Sequence, residues 1–318
     1  MKTLEYLINF EGKICLIAHS NPDPDCIGSM LALYNYLNKF NKDVIMISKD
    51  EPIGTIKYLK GFDKIIRIGN LPETDLYVLI DQSEVERSGI NPEEFKDKNI
   101  IKIDHHITNK KYSEYDYIDE NAPSTTSLML ELMRNYNEEL IDENIAECIF
   151  VGLSADTGNF SFSNLKVAFE NALYLANRGF NINRFSEKFL RNQSINRMEL
   201  IRLALSTLRY EDNIGYIIIR KKFYEISGAK KYENYGIVDI PLSLSNVKVA
   251  LKFEEMENGW KVNLRSKENI DVQKFAEKHN GGGHKNASAF RINEKIPESE
   301  LIERIIEDLK NYLKTIHE

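Results

Sequence analysis

The chain has 318 residues, 42% of them apolar and 29% charged, the profile of a soluble globular protein, and two domains are the expectation for that length. No apolar stretch approaches the ~20 residues that a spanning helix needs, which excludes a helical membrane protein. The formal net charge of −7, from 42 Lys+Arg against 49 Asp+Glu, argues against a protein that tracks long nucleic acid, because such binding rests on a basic groove.

In chain order, "MKTLEYLINFEGK" opens with Glu5 and Glu11 inside it and has no signal-peptide core, so a cytoplasmic home is expected. "KICLIAH" (13–19), "DVIMIS" (43–48), "LYVLID" (76–81) and "IIKID" (100–104) are continuous apolar runs rich in β-branched residues, as strands buried on both faces should be. Helices are expected between and after them at 27–40, 125–136 and 142–153. This alternation predicts an α/β fold, a mostly parallel sheet with helices on both faces. Residues 181–210 read as mainly helical. Beyond them, "IGYIIIRK", "VKVALKFEEMENGWKVNLRS" and "NASAFRI" read as strands, the second a hairpin turned at Asn258-Gly259. With helices at about 270–279 and 297–315, they predict a smaller α+β domain. The expected division is therefore 1–185 as catalytic domain, 186–210 as helical linker and 211–318 as substrate-binding domain.

Four short polar motifs follow apolar segments. "AHSNPDPDCIGS" carries His19, Asp23 and Asp25; "VLIDQS" carries Asp81; "IDHH" carries Asp104, His105 and His106; "GLSADTGNF" carries Asp156. Taken singly, each reads as an ordinary turn or helix cap. Taken together they place His19, Asp23, Asp25, Asp81, His105 and Asp156 where an α/β sheet forms its ligand crevice. Four carboxylates in one site repel one another unless cations neutralise them. Two divalent ions about 3.5–4 Å apart would do so and would activate water for an in-line displacement. Asp81, alone on its strand end, is the natural bridge between them. Oxygen and nitrogen donors favour Mn²⁺ or Mg²⁺, and Asp104 is near enough in sequence to accept from a ligating histidine. The three cysteines have no metal-type spacing. Cys15 and Cys148 read as core residues, and Cys26 as a small buried residue beside Asp25.

The spacing H-x-x-x-D-x-D, the lone Asp, D-H-H and A-D-T-G resembles the four motifs of the DHH phosphoesterase superfamily. "NLRS" (263–266) and "NGGGHKNASA" (280–289) resemble the DHH-associated C-terminal domain, and the size resembles the NrnA-type nano-RNases most. The resemblance implies one metal on His19, Asp23 and Asp81 and a second on Asp25, Asp81, His105 and Asp156. His106 would face the scissile phosphate, with Asp104 behind the pair as a further catalytic residue. Arg265, Ser266, Gly281, Gly282, Gly283 and His284 would bind substrate, since glycines let backbone amides approach an anion and Arg suits phosphate. The sequence departs from the pattern at Cys26, where relatives often have Ala or Ser, and in small ways at Asn280 and Ala289. Ser124, Thr125 and Thr126 read as a helix cap.

The expected activity is metal-dependent hydrolysis of short oligoribonucleotides, such as linear pApA, to mononucleotides. Removal of the 3′-phosphate of pAp is a second expected activity. A stand-alone cyclic di-AMP phosphodiesterase is the alternative. Partners would be short RNA or dinucleotides, with no long nucleic acid and no membrane; a homodimer is allowed. Inorganic pyrophosphatase leaves the glycine-rich segment without a use, and a nucleotide sensor without metals would not keep all six ligands.

Overall fold

The computed structural model describes residues 2–52, 54–106, 110–161, 163–267 and 270–316. The chain divides into two compact units, Met1–Asn192 and Gln193–Glu318.

In the first unit, strands β1 (Ile14–Ala18), β2 (Val44–Ser48), β3 (Ile65–Arg67), β4 (Leu76–Ile80), β5 (Ile100–Asp104) and β6 (Tyr117–Ile118) form one sheet in the order β3-β2-β1-β4-β5-β6. Every pairing is parallel. Helices α1 (Lys2–Asn9), α2 (Pro24–Asn38), α3 (Thr125–Asn137), α4 (Glu143–Asp156) and α5 (Leu165–Asn177) complete the unit, with the short α6 (Ile182–Phe185) near its end. One face of the sheet buries Leu16, Val78 and Ile101 against Leu31 of α2, Leu132 of α3 and Ile149 of α4. The other face buries Ile17, Tyr77 and Leu79 with Val85, Ile90 and Phe95.

That second face departs from the expected layer of helices. The chain moves outward from β1 through β2 in one direction and from β4 to β5 in the other. Right-handed crossovers then fall on opposite faces. The β4–β5 crossover is made of two 3₁₀ turns, Val85–Ser88 and Pro92–Phe95, where Gly89 and Pro92 interrupt any longer helix. α2 starts three residues earlier than expected, because Pro24 occupies its first turn, where no amide is needed, and Asp23 caps it.

The second unit holds a sheet in the order β11-β12-β10-β9-β8-β7. Its strands are β7 (Arg209–Glu211), β8 (Ile214–Ile219), β9 (Val249–Met256), β10 (Gly259–Ser266), β11 (Gly282–His284) and β12 (Ala287–Ile292), and only β8–β9 is parallel. The hairpin loop is Glu257-Asn258, one residue earlier than expected, with Gly259 already paired to Met256. Helices α7 (Ile195–Leu205), α8 (Lys221–Ser227), α9 (Asp239–Leu242), α10 (Val272–Lys278) and α11 (Glu298–Ile316) surround the sheet. One face packs Phe253, Trp260 and Leu264 against Phe275, Leu301 and Leu309.

The residues expected to form a separate linker divide between the units. α7 lies in the second, where Leu200 and Ala204 pack on Ile217 and Ile219 of β8. Met198 and Leu205 of the same helix face outward. On the same side of β9, the ammonium of Lys252 is fully buried and donates to Asn234 Oδ1 at 2.6 Å, while Tyr224 donates to Glu254 at 3.0 Å. The single Trp of the chain is thus in the second unit. The three cysteines, all buried, are in the first.

Candidate metal centre

The strand order reverses between β1 and β4. There the connections leave in opposite directions and open a crevice at the carboxyl ends of the strands. His19 directly follows β1 and Asp81 directly follows β4, while His105 follows β5. Asp23 caps α2 and Asp25 lies in its first turn. Asp156 is the last residue of α4. The fold therefore brings all six expected ligands to one crevice of the first unit.

Asp81 stands at the middle. Its backbone is left-handed, φ 57°, a conformation that costs a non-glycine residue roughly 1 kcal/mol or more and persists only where surroundings impose it. Gln82, next in the chain, donates to Ile17 O of β1 at 2.8 Å and holds that turn in place. The two oxygens of Asp81 face different partners. Oδ2 lies 3.6 Å from His19 Nε2, and Oδ1 lies 3.7 Å from His105 Nε2. His105 Nε2 is also 3.2 Å from Asp156 and 3.9 Å from Asp25. His19 Nε2 is 3.9 Å from Asp23.

Both histidines are oriented by backbone carbonyls. Nδ1 of His19 meets Ser20 O at 3.0 Å and Nδ1 of His105 meets Ala122 O at 3.1 Å. With Nδ1–H donating, each Nε2 lone pair faces the carboxylates. Asp104 does not support His105. It holds its neighbour instead, with Oδ1 2.6 Å from His106 Nδ1.

The electrostatics describe a cluster that needs positive charge. Burial, and then Asp81 and Asp156 across the crevice, push the Asp25 carboxyl well above the usual range. Burial opposes a proton on His105, yet Asp156, Asp81 and Asp25 outweigh it and raise the imidazole. His19 is raised in the same way, with Cys26, Asp23 and Asp81 overcoming burial. Ligand atoms that share an ion at about 2.1 Å lie roughly 3.0–3.4 Å apart. The separations here, 3.2–3.9 Å, need only a small contraction. The donor set fits divalent cations.

Two residues that carry the geometry were read from sequence only as part of a helix cap. Ser124 is the cap of α3. Thr125 N and Thr126 N donate to the two oxygens of Asp25 at 2.7 and 3.0 Å, and Thr126 Oγ1 adds a bond of 2.7 Å. Thr125 Oγ1 donates to Asp81 Oδ1 at 2.7 Å. The exposed amides and positive end of α3 thus hold a carboxylate. Gly152 of α4 makes room for this, since a Cβ there would lie 2.4 Å from Thr126 Cγ2 and 2.7 Å from Asp25 Oδ1.

Residues 13–153 match the DHH family N-terminal domain, and residues 224–315 match the DHHA1 domain. The chain is a DHH-family phosphoesterase. It is 27% identical over 316 residues to the bifunctional oligoribonuclease and PAP phosphatase NrnA of Thermus thermophilus, covering 97% of this chain and 93% of that one. It is 28% identical to the NrnA of Bacillus subtilis, covering 92% and 93%. Among solved structures, an exopolyphosphatase-related protein from Bacteroides fragilis superposes with a TM-score of 0.85 at 25% identity, covering 99% of this chain and 96% of that one.

The substrate residues expected in the DHHA1 domain are arranged differently from one another. Arg265, near the end of β10, has Nε 3.6 Å from Asp239 Oδ1 and donates from Nη1 to Leu264 O. Ser266 is buried, donates to Ile270 O at 2.6 Å and accepts from Asn286. Its hydroxyl holds a turn. Gly282 and Gly283 open the edge strand β11, with Gly281 just before it. A Cβ on Gly281 would lie 2.3 Å from Ala289 O, and one on Gly283, whose φ is +142°, 2.5 Å from Ala287 O. Those two are small because β12 is close. Only Gly282 has open space around its Cα. His284 closes the strand, paired with Ala287.

Proposed function

We propose that this DHH-family enzyme hydrolyses short oligoribonucleotides, with linear dinucleotides such as pApA as the central substrate, and also removes the 3′-phosphate of pAp. The reading rests on one observation above others: a single carboxylate, Asp81, presents its two oxygens to two histidines from different strands. That arrangement suits a pair of cations, with His19, Asp23 and Asp81 around one and Asp25, Asp81, His105 and Asp156 around the other. Mn²⁺ or Mg²⁺ held there would polarise the phosphate and lower the pKa of a water nucleophile.

The protein's own groups do the rest. Thr125 and Thr126 keep Asp25 and Asp81 aimed into the crevice. His106, its Nδ1 fixed by Asp104, offers Nε2 to a phosphoryl oxygen or to the leaving group. In the DHHA1 domain, Arg265, Gly282 and His284 supply donors for the part of the nucleotide that is not cut. The acidic balance of the chain favours a ligand held at a few phosphates over a long polymer. The oligoribonuclease and PAP phosphatase names of the two NrnA relatives support the substrate class.

Purified protein with Mn²⁺ should consume pApA rapidly, pAp at a measurable rate, and a long single strand or cyclic di-AMP slowly or not at all, as read by chromatography. Equal rates on cyclic di-AMP and pApA would shift the reading to second-messenger turnover. Asp81→Ala and His105→Ala should each lower turnover by about 10³-fold or more while the fold is kept. Full activity in either would end the two-cation reading.

A further inference from the structure

We infer that the groove between α3 and α5 in the first unit is a second ligand site, shaped for a purine nucleoside without phosphate. Its occupant steadies the segment on which the metal centre rests. The groove measures about 470 Å³, within the roughly 300–1,000 Å³ usual for small-molecule sites. It shares no residue with the six expected metal ligands, and it stands or falls independently of pApA as substrate.

Asn171 is the decisive residue. The inward stripe of α5 runs through Ala168, Asn171 and Leu175, spaced three and four residues apart. Two of these are apolar, as a stripe facing a core should be. Asn171 lines the groove at 8% exposure, and its side chain makes no hydrogen bond among the described residues. A buried carboxamide left unpaired costs free energy that a leucine in its place would not. Neither of its polar atoms is sealed from the groove, so a donor and an acceptor stand ready side by side.

The walls narrow the occupant. A carboxamide pairs through two bonds with a ring edge that sets an acceptor beside a donor, as N7 and the 6-amino group of adenine do. Pro123, Leu128 and Val167 supply apolar surface for the face of such a ring. The charges along the rim disfavour an anion. Arg178 takes up Glu138 at 3.3 Å, which leaves Asp119 and Glu131 against Arg134. A nucleoside suits this balance and a nucleotide does not.

The same wall reaches the metal centre. Ala122 lines the groove, and its carbonyl oxygen meets His105 Nδ1 at 3.1 Å. Ser127 lines it too, and its amide donates to the Oγ of Ser124, the cap of the helix end that holds Asp25. A ligand lodged against these residues orders both supports. By linkage, cations in the crevice and nucleoside in the groove then strengthen one another's binding.

The full chain is titrated with adenosine by calorimetry, with and without Mn²⁺. Adenosine should bind at one site. Asn171→Leu should abolish that binding, leave turnover without adenosine unchanged, and raise the denaturation midpoint, since an unpaired amide has gone. Arg265→Ala, altered in the DHHA1 domain, should bind adenosine as the unaltered chain does, and in that variant Mn²⁺ should raise the affinity at least about fivefold. Without metal, AMP should bind at least about tenfold more weakly than adenosine. Binding lost in Arg265→Ala but kept in Asn171→Leu would put the nucleoside with the substrate and overturn the inference. Absence of heat at millimolar adenosine would overturn it as well, leaving only water on the amide. AMP binding as tightly as adenosine would sink the choice of ligand, and an affinity indifferent to Mn²⁺ would sink the link to the centre.

Discussion

Asp25 and Asp81 owe their directions to residues that never need to touch a substrate. Four of the bonds that aim them come from α3, through Thr125 N, Thr126 N, Thr125 Oγ1 and Thr126 Oγ1. Thr125→Val and Thr126→Val keep the shape and remove a hydroxyl each. Each should weaken Mn²⁺ binding by about 10- to 100-fold, the usual loss when a ligand's outer hydrogen bond is removed, with calorimetry as the measure. The six residues that meet in the crevice were legible in sequence because each is a chemically distinctive residue close after an apolar run. Thr125 and Thr126 were not, because "PSTTS" is equally good as a plain helix start. Only the fold brings Asp25 to that helix end. The pairing of Asp104 with His106 was hidden for a similar reason: adjacent histidines look alike until the backbone fixes which ring faces which acceptor.

At the scale of elements, the four buried strands of the first sheet were readable to within a residue, since parallel strands covered on both faces are unbroken apolar runs. The edge strands β3, β6 and β7 were not, being two or three residues long and largely exposed. β11 was not anticipated either, since glycines carry no strand signal. Its register against β12 separates the glycines by role, and that can be tested. Gly281→Ala should destabilise the second unit by roughly 1–3 kcal/mol, as overpacking does. Gly282→Ala should leave stability unchanged in the same denaturant titration. β9 carries another readable consequence. Burial holds the Lys252 ammonium down at about 7, whereas in the unfolded chain it keeps its proton to about 10.4. Between those values the unfolded state binds more protons, so stability rises with pH. Denaturation at pH 7 and pH 9 should show that rise, worth up to a few kcal/mol, and Lys252→Met should flatten it.

For the whole molecule, length and the pattern of apolar runs were enough to anticipate two units that mix helices and strands, and no helix among the described residues is long and apolar enough to cross a membrane. Where one unit ends and the next begins was harder to read, because α7 looks from sequence like any amphipathic connector until Leu200 and Ala204 are seen against β8. All the carboxylates of the centre belong to the first unit, so removing divalent ions should weaken that unit by mass action and leave the second alone. The chain carries its own means of watching this. Trp260 is the sole indole and sits in the core of the second unit, while every thiol sits in the interior of the first. Tryptophan emission and the rate of thiol labelling are therefore two clocks that report separately on the two halves, without any dye, tag or engineered residue. Along one denaturant series, chelator should move the thiol clock to lower denaturant and leave the indole clock where it was.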